Sequence, residues 1–141
     1  MTQSGLSIRD PEITDMSHLP APHSWNQKFA VAIAGLLRTW RTESSMQVHS
    51  VCGLLALGLA ACSRFSPIEW AILLLVIGWV IALELVNTAL EAVVDLASPE
   101  YAKLARVAKD AAAAAVLVAA LTAVLVGGCL FIPHWWGRWG F

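Results

Sequence analysis

Charged residues are scarce in this chain of 141 residues, of which 13% are charged and 58% are apolar. A typical soluble domain carries about 25% charged and about 45–50% apolar residues. The composition therefore argues against a soluble domain and favours an integral membrane protein. The formal net charge of −1 comes without any basic stripe, so we expect no binding to nucleic acid.

Motifs that commonly build nucleotide or metal sites are also missing. The sequence contains no GxxxxGKS or GxxxxGKT loop and no kinase-type glycine-rich loop, so any nucleotide site has to be built in another way. The three cysteines show no CxxC spacing and lie in apolar runs. We expect them to be small buried side chains and not a disulfide framework or a metal site.

The chain begins with a polar segment followed by an amphipathic one. Residues 1–24 are polar, interrupted by proline and free of a signal-peptide apolar core, so we expect a disordered cytoplasmic tail. From Trp25 onwards, apolar residues recur at spacings of three and four, as at Phe29 and Ile33. This pattern predicts an amphipathic helix over residues 25–43 that lies on the membrane surface.

Three apolar stretches follow, the first of them short and rich in glycine and alanine. They predict membrane spans at residues 44–62, 67–95 and 99–131. Ser66, Pro67 and Glu69 have the pattern of a capping box at a helix start, and the SPEY sequence at 98–101 repeats it. The tail 134–141 is rich in tryptophan, which is typical of a membrane interface. The sequence therefore predicts an all-α membrane protein with one surface helix and three transmembrane helices.

The distribution of Lys and Arg predicts the orientation in the membrane. Near the predicted spans, one side carries Lys28, Arg38, Arg41, Lys103, Arg106 and Lys109. The other side carries only Arg64 and Arg138. Because basic residues are retained in cytoplasmic loops, we expect the N-terminus and the connection between the second and third spans to be cytoplasmic.

The second predicted span carries an unusual polar stripe. Glu84, Asn87, Glu91 and Asp95 are offset by three, seven and eleven residues, so all four side chains project from one face of a helix. A carboxylate near the bilayer centre costs about 2.5–3.5 kcal/mol, so the stripe has to face other helices or a water-filled cleft. A functional site is the favoured interpretation, and a hydrogen-bonded helix interface without chemistry is its alternative.

Further charged residues are expected at the same membrane level. Glu43 lies where the surface helix gives way to the first span, while Lys109 and Asp110 open the last span. Carboxylates and a lysine without a His/Cys cluster favour Mg²⁺ bridging to a phosphate. A small oligomeric transporter using an intramembrane glutamate such as Glu84 is the alternative function, and a purely structural helix-packing protein is a third.

The segment ELVNTALEAVVDLASPEYAKLARVAKDAAAAAVLVAA, residues 84–120, resembles the signature region of the prokaryotic diacylglycerol kinase family. These are small three-span membrane enzymes that include diacylglycerol kinases and undecaprenol kinases. The similarity extends from about Phe29 to Leu130. Its most specific part is the motif ExxNxxxExxxD, followed by SPEY and AKD.

The resemblance implies a homotrimeric helical bundle in a bacterial inner membrane, with residues 25–133 as a lipid kinase domain. Its active sites are expected at subunit interfaces near the cytoplasmic face, where the γ-phosphate of MgATP is transferred to a lipid alcohol. The product would be phosphatidic acid from diacylglycerol, or undecaprenyl phosphate from undecaprenol.

Residue roles follow from the same resemblance. Glu84 matches the catalytic base and a lipid contact, Glu43 and Glu91 match the metal-binding carboxylates, and His49 matches a further lipid contact. The implied ATP-binding residues are Glu43, Asn87, Glu91, Glu100, Tyr101, Lys109 and Asp110.

Two positions depart from the family pattern. Relatives resembling undecaprenol kinases read NFRIH after the first glutamate, whereas this chain retains His49 but has Gln47 in place of the arginine. Val31 stands where relatives often carry a tyrosine near the nucleotide. The signature is somewhat closer to undecaprenol kinases than to diacylglycerol kinases of Gram-negative bacteria, but it does not identify the lipid.

Overall fold

A computed structural model describes residues 24–98 and 102–136 of the chain, and four α-helices make up nearly all of them. The helices are α1 (Trp25–Thr42), α2 (Ser44–Cys62), α3 (Pro67–Ala97) and α4 (Lys103–Trp136). The described residues contain no β-strand. Helices α2, α3 and α4 are each long and apolar enough to cross a membrane. The predicted class of an all-α membrane protein with three spans is confirmed.

Helix α1 is amphipathic and has no buried residue along its length. Ser24 and Gln27 open it with a reciprocal pair of hydrogen bonds, from Gln27 N to Ser24 Oγ at 3.3 Å and from Ser24 N to Gln27 Oε1 at 3.2 Å. This capping box satisfies backbone donors that the first turn leaves free. Trp25 and Phe29 are exposed in the isolated chain, as expected for a helix whose apolar side meets lipid.

A single extended residue, Glu43, separates α1 from α2, with φ −102° and ψ 115°. The Gln47 side-chain amide donates to the Trp40 carbonyl oxygen at 3.1 Å. That carbonyl belongs to the last turn of α1, where backbone acceptors lack helical partners. Gln47, the residue that replaces the arginine of relatives, therefore stabilises the junction between the two helices.

The predicted capping box at the start of α3 is confirmed. Ser66 Oγ accepts from Glu69 N at 3.4 Å, and Glu69 Oε2 accepts from Ser66 N at 2.7 Å. Pro67 takes the first helical position, where its missing N–H costs nothing. The helix ends at Ala97, two residues beyond the end predicted at residue 95.

The best-packed core lies at this same end of the helices. Ala60, Phe65 and Leu73 are buried together, and the Phe65 ring lies 4.8 Å from that of Phe131 and 4.9 Å from that of His134. His134 Nε2 also lies 3.5 Å from Glu69 Oε1. These contacts accompany the continuation of α4 to Trp136, beyond the predicted limit at residue 131 and through Pro133.

Helix α3 packs along α4 and, over a smaller surface, against α2. Gly53 of α2 lies close to α3, because a Cβ there would lie 3.1 Å from Ile77 Cγ2. Many other apolar side chains on the three long helices are exposed in the single chain. The expectation that the cysteines are buried is wrong, since Cys52, Cys62 and Cys129 are free thiols on exposed faces. An apolar solvent explains this, because lipid does not force small apolar side chains inward.

Candidate functional site

Glu84, the first residue of the polar stripe, is buried between α3 and α2. Its side chain is only 2% exposed. Ser45 Oγ donates to Oε2 at 3.1 Å, and His49 Nε2 lies 3.2 Å from Oε1. Ser45 and His49 are four residues apart, so they share one face of α2. A carboxylate in such surroundings requires polar partners, and α2 supplies one to each oxygen.

Asn87 and Glu91 form the next part of the stripe, one and two turns further along α3. The Asn87 Nδ2 group donates to Glu91 Oε1 at 3.1 Å, an interaction between residues four apart on the same helix. Asn87 Oδ1 is buried and has no hydrogen-bond partner among the residues that the structure describes. An unpaired buried acceptor costs about 1–3 kcal/mol, and such atoms call for a bound group that completes them.

The last member of the stripe reaches across to α4. Asp95 Oδ1 lies 2.5 Å from Lys109 Nζ, which joins the C-terminal part of α3 to the first turns of α4. The Lys109 side chain is 35% exposed, and an ammonium carries three donors, so one carboxylate does not exhaust it. Asp110 has a weaker contact with Arg106 of its own helix, at 3.6 Å.

Glu43 occupies the junction between α1 and α2 and is partly buried. Although it is the N-cap residue of α2, its side chain makes no capping hydrogen bond. Thr42 Oγ1 donates to Glu43 Oε1 at 3.3 Å. The Glu43 carboxylate is therefore not used to cap α2, and it retains acceptor positions for a ligand.

The oxygen donors suit a hard cation. The carboxylates of Glu43 and Glu91 and the unpaired Oδ1 of Asn87 are the kind of ligands that Mg²⁺ takes, usually through one or two carboxylates completed by water and substrate phosphates. Over residues 24–98 and 102–136, no three acidic, histidine or cysteine side chains gather closely enough to hold a metal on their own. The donor set thus fits a metal that is shared with a phosphate-bearing substrate.

An apolar cleft of about 340 Å³ adjoins the buried carboxylate. It lies between α2, α3 and α4, and its lining includes His49, Gly53, Ala56, Val80, Ala123 and Phe131. His49 is the member that also contacts Glu84. His49 therefore connects the buried Glu84 carboxylate with the apolar cleft.

The structure brings some of the predicted site residues together in three pairs, whereas Glu43 contacts Thr42 and Asp110 contacts Arg106, outside these pairs. Glu84 joins His49, Asn87 joins Glu91, and Lys109 joins Asp95. Glu100 and Tyr101 lie outside the described residues. Sequence reasoning missed Ser45 as a partner of the buried carboxylate and placed Asp95 only in the stripe. The spacing of four between Ser45 and His49 is the one signal in the sequence that relates Ser45 to this site.

These features define an integral membrane protein with a polar, partly buried site at one end of three apolar helices. Comparison with known proteins is more specific. The profile of the family described as Prokaryotic diacylglycerol kinase matches residues 30–131, and the chain belongs to this family. The family predicted from the ExxNxxxExxxD motif is confirmed, and it is a family of lipid phosphotransferases.

Several curated relatives are similar over most of the chain. A diacylglycerol kinase of Synechocystis sp. is 43% identical over 106 residues, covering 74% of this chain and 61% of the relative. An undecaprenol kinase of Bacillus subtilis is 40% identical over 107 residues, covering 76% of this chain and 87% of the relative. A diacylglycerol kinase of Escherichia coli is 35% identical over 100 residues, covering 71% of this chain and 82% of the relative. The chain thus matches less than two thirds of the Synechocystis protein.

Proposed function

We propose that this protein is a lipid kinase that transfers the γ-phosphate of MgATP to the hydroxyl group of a lipid alcohol. Relatives named diacylglycerol kinase and undecaprenol kinase, at 43% and 40% identity, support this reaction class. The observation that carries the proposal is the buried carboxylate of Glu84, held beside an apolar cleft through His49. A lipid hydroxyl can reach such a carboxylate while its hydrocarbon stays out of water.

In the proposed reaction, Glu84 is the general base. It accepts the proton of the lipid hydroxyl while that oxygen attacks the γ-phosphorus, and the bond to the β-phosphate oxygen of ATP breaks. Phosphoryl transfer requires mainly positioning of the two substrates and neutralisation of charge. A carboxylate secluded from water is suited to the proton transfer, because neither partner is lost to solvent.

The remaining charged residues are assigned to the nucleotide. Glu43 and Glu91, with Asn87, would hold Mg²⁺, and the ion when bound would neutralise charge on the phosphates. Asn87 orients the Glu91 carboxylate through its amide. Lys109 is proposed to donate to a phosphate as a point charge, and Asp95 holds its ammonium close to α3. Asp110, Glu100 and Tyr101 are proposed as further nucleotide contacts.

The lipid substrate is proposed to lie along the apolar cleft, with its hydroxyl at Glu84 and His49 at the entrance. Relatives of both names are similar to this chain to nearly the same degree, so diacylglycerol and undecaprenol are both proposed as substrates to be tested. The lining of the cleft is almost entirely apolar, with His49 as its polar member. Such a lining accommodates hydrocarbon chains of different structure and does not select one lipid over the other.

A homotrimer in a bacterial inner membrane is proposed as the active form, with the N-terminus cytoplasmic. One observation supports oligomerisation: the described residues of one chain gather no complete metal site. The basic residues Lys28, Arg41 and Lys103 support the proposed orientation, because cytoplasmic segments are enriched in Lys and Arg.

The test is a phosphotransfer assay with purified protein in mixed micelles. The protein would be incubated with labelled MgATP and with diacylglycerol, undecaprenol or a short-chain alcohol, and label would be followed into the lipid phase. We expect label in at least one of the two lipids and none in the short-chain alcohol. Protein that carries protons or cations across proteoliposomes but never labels lipid would contradict the proposal and favour a transporter.

A further inference from the structure

Both oxygens of the Glu84 carboxylate are engaged by side chains of a single neighbouring helix. Ser45 Oγ donates to Oε2 at 3.1 Å, and His49 Nε2 lies 3.2 Å from Oε1. Glu84 is 2% exposed, so water does not compete for these positions. Hydrogen bonds to a charged group are shorter and stronger than neutral ones, and a low local dielectric strengthens them further.

We propose that Ser45 and His49 are positioning residues that hold the Glu84 carboxylate in the orientation required to accept the lipid proton. The inference rests on the proposed role of Glu84 as the base. A glutamate side chain has several rotatable bonds, and its terminal torsion is broad and poorly defined on its own. Two partners four residues apart on α2 fix both ends of the carboxylate at once.

The two contacts leave the carboxylate able to act. An ionised carboxylate accepts at about four lone-pair positions, so two partners leave positions for the substrate hydroxyl. His49 is 24% exposed, in contrast to the buried Glu84, and it also lines the apolar cleft. The histidine thus holds the carboxylate at the border of the space assigned to the lipid. Its proposed effect on the proton transfer passes through Glu84.

The geometry of Ser45 differs from that of a neighbouring serine on the same helix. Ser50 Oγ donates to the Met46 carbonyl oxygen of the preceding turn at 2.7 Å, which is the usual behaviour of serine within a helix. Ser45 instead reaches a residue 39 positions away on α3. Ser50 therefore provides a matched control, since Ser50→Ala removes the same hydroxyl from α2 without touching Glu84.

The test uses Ser45→Ala, His49→Leu and His49→Gln in the full-length protein, beside Ser50→Ala. Loss of one hydrogen bond to a charged group predicts a fall in kcat of about 10- to 100-fold for Ser45→Ala and for His49→Leu. The KM for MgATP should change by no more than about twofold, because the nucleotide ligands are elsewhere. His49→Gln retains an N–H donor and should recover most of the lost kcat. Ser50→Ala should stay within about twofold of wild type.

A double substitution separates positioning from a merely structural role. In a Glu84→Gln background, Ser45→Ala should cause no further loss of the residual rate, because its effect passes through the carboxylate that is already gone. A further loss of the same size as in the wild type would overturn the inference. So would wild-type kcat in both Ser45→Ala and His49→Leu.

The experiments distinguish an error in the positioning role of Ser45 and His49 from an error in the base role of Glu84. If Glu84→Gln alone retains wild-type turnover, the base assignment is wrong and the positioning role falls with it. If Glu84→Gln loses turnover while Ser45→Ala and His49→Leu keep it, only the positioning role is wrong. Thermal unfolding of each variant in detergent, matched to wild type, ensures that the rates compare folded proteins.

Discussion

Replacing Glu84 by glutamine is the perturbation that most directly tests the proposed chemistry. The substitution removes the basic carboxylate but keeps the size and polarity of the side chain. The contacts on α2 predict that the fold tolerates it. The amide oxygen of a glutamine can accept from Ser45, and its NH₂ group can donate to an unprotonated ring nitrogen of His49. Neither partner is left unsatisfied in the buried site, so stability should change little.

The expected loss is therefore in the chemical step. Removal of a general base typically lowers the rate by about 10²- to 10⁴-fold, which corresponds to about 3–5 kcal/mol of barrier at about 1.36 kcal/mol per tenfold. The loss should appear in kcat. Binding of MgATP should be nearly unchanged, because Glu43, Glu91 and Lys109 are all retained.

The assay measures nucleotide affinity, lipid phosphorylation and thermal unfolding on the same purified variant. Glu69→Gln is the matched control, because it also replaces a carboxylate of α3 but lies at the opposite end of the helix. Glutamine serves in a capping box as well as glutamate does, so the Ser66 contacts of this position are retained and turnover should be near wild type. Near-normal phosphorylation by Glu84→Gln would refute the base assignment.

Three further predictions concern the metal, the packing and the assembly. Glu43→Gln and Glu91→Gln should each lower phosphotransfer and raise the Mg²⁺ concentration needed for half-maximal rate, because each removes a charge from a hard-cation site; unchanged metal titrations would remove both from that role. Gly53→Val should cost about 1–3 kcal/mol in detergent unfolding through overpacking, since even a Cβ added there would lie 3.1 Å from Ile77 Cγ2. Gly58→Val should not, because a Cβ there would meet no described residue outside its own stretch of helix within 4 Å. Activity should follow the proposed trimer in cross-linking and size-exclusion experiments, and a fully active monomer would contradict this.

Much of the helical framework follows from local sequence. The long apolar runs favour helices, because a helix is the one structure in which a single segment satisfies all its backbone hydrogen bonds within lipid. Ser66, Pro67 and Glu69 mark the start of α3 through contacts within one turn, and those contacts are present as predicted. The resemblance of residues 84–120, where the motif ExxNxxxExxxD is followed by SPEY and AKD, indicated the family, and the match of the family over residues 30–131 confirms it.

The end of α4 could not be predicted from the local sequence. The last span was predicted to end at residue 131, but the helix continues through Pro133 to Trp136. His134 contacts Phe65 and Glu69, which belong to the turn before α3 and to its first turn. A proline within the last turns removes only one backbone hydrogen bond, and contacts with residues distant in sequence accompany the extension.

The partners of the polar stripe were likewise decided by tertiary structure. Helical periodicity establishes that Glu84 and Asp95 share a face, but it carries no information about which helix that face meets. Packing places Ser45 and His49 of α2 against Glu84, and Lys109 of α4 against Asp95. The sequence was sufficient to predict the polar stripe, the three membrane-spanning helices apart from their exact ends, and the family. The distances that pair one helix with another arise only when close packing sets their relative rotation and depth.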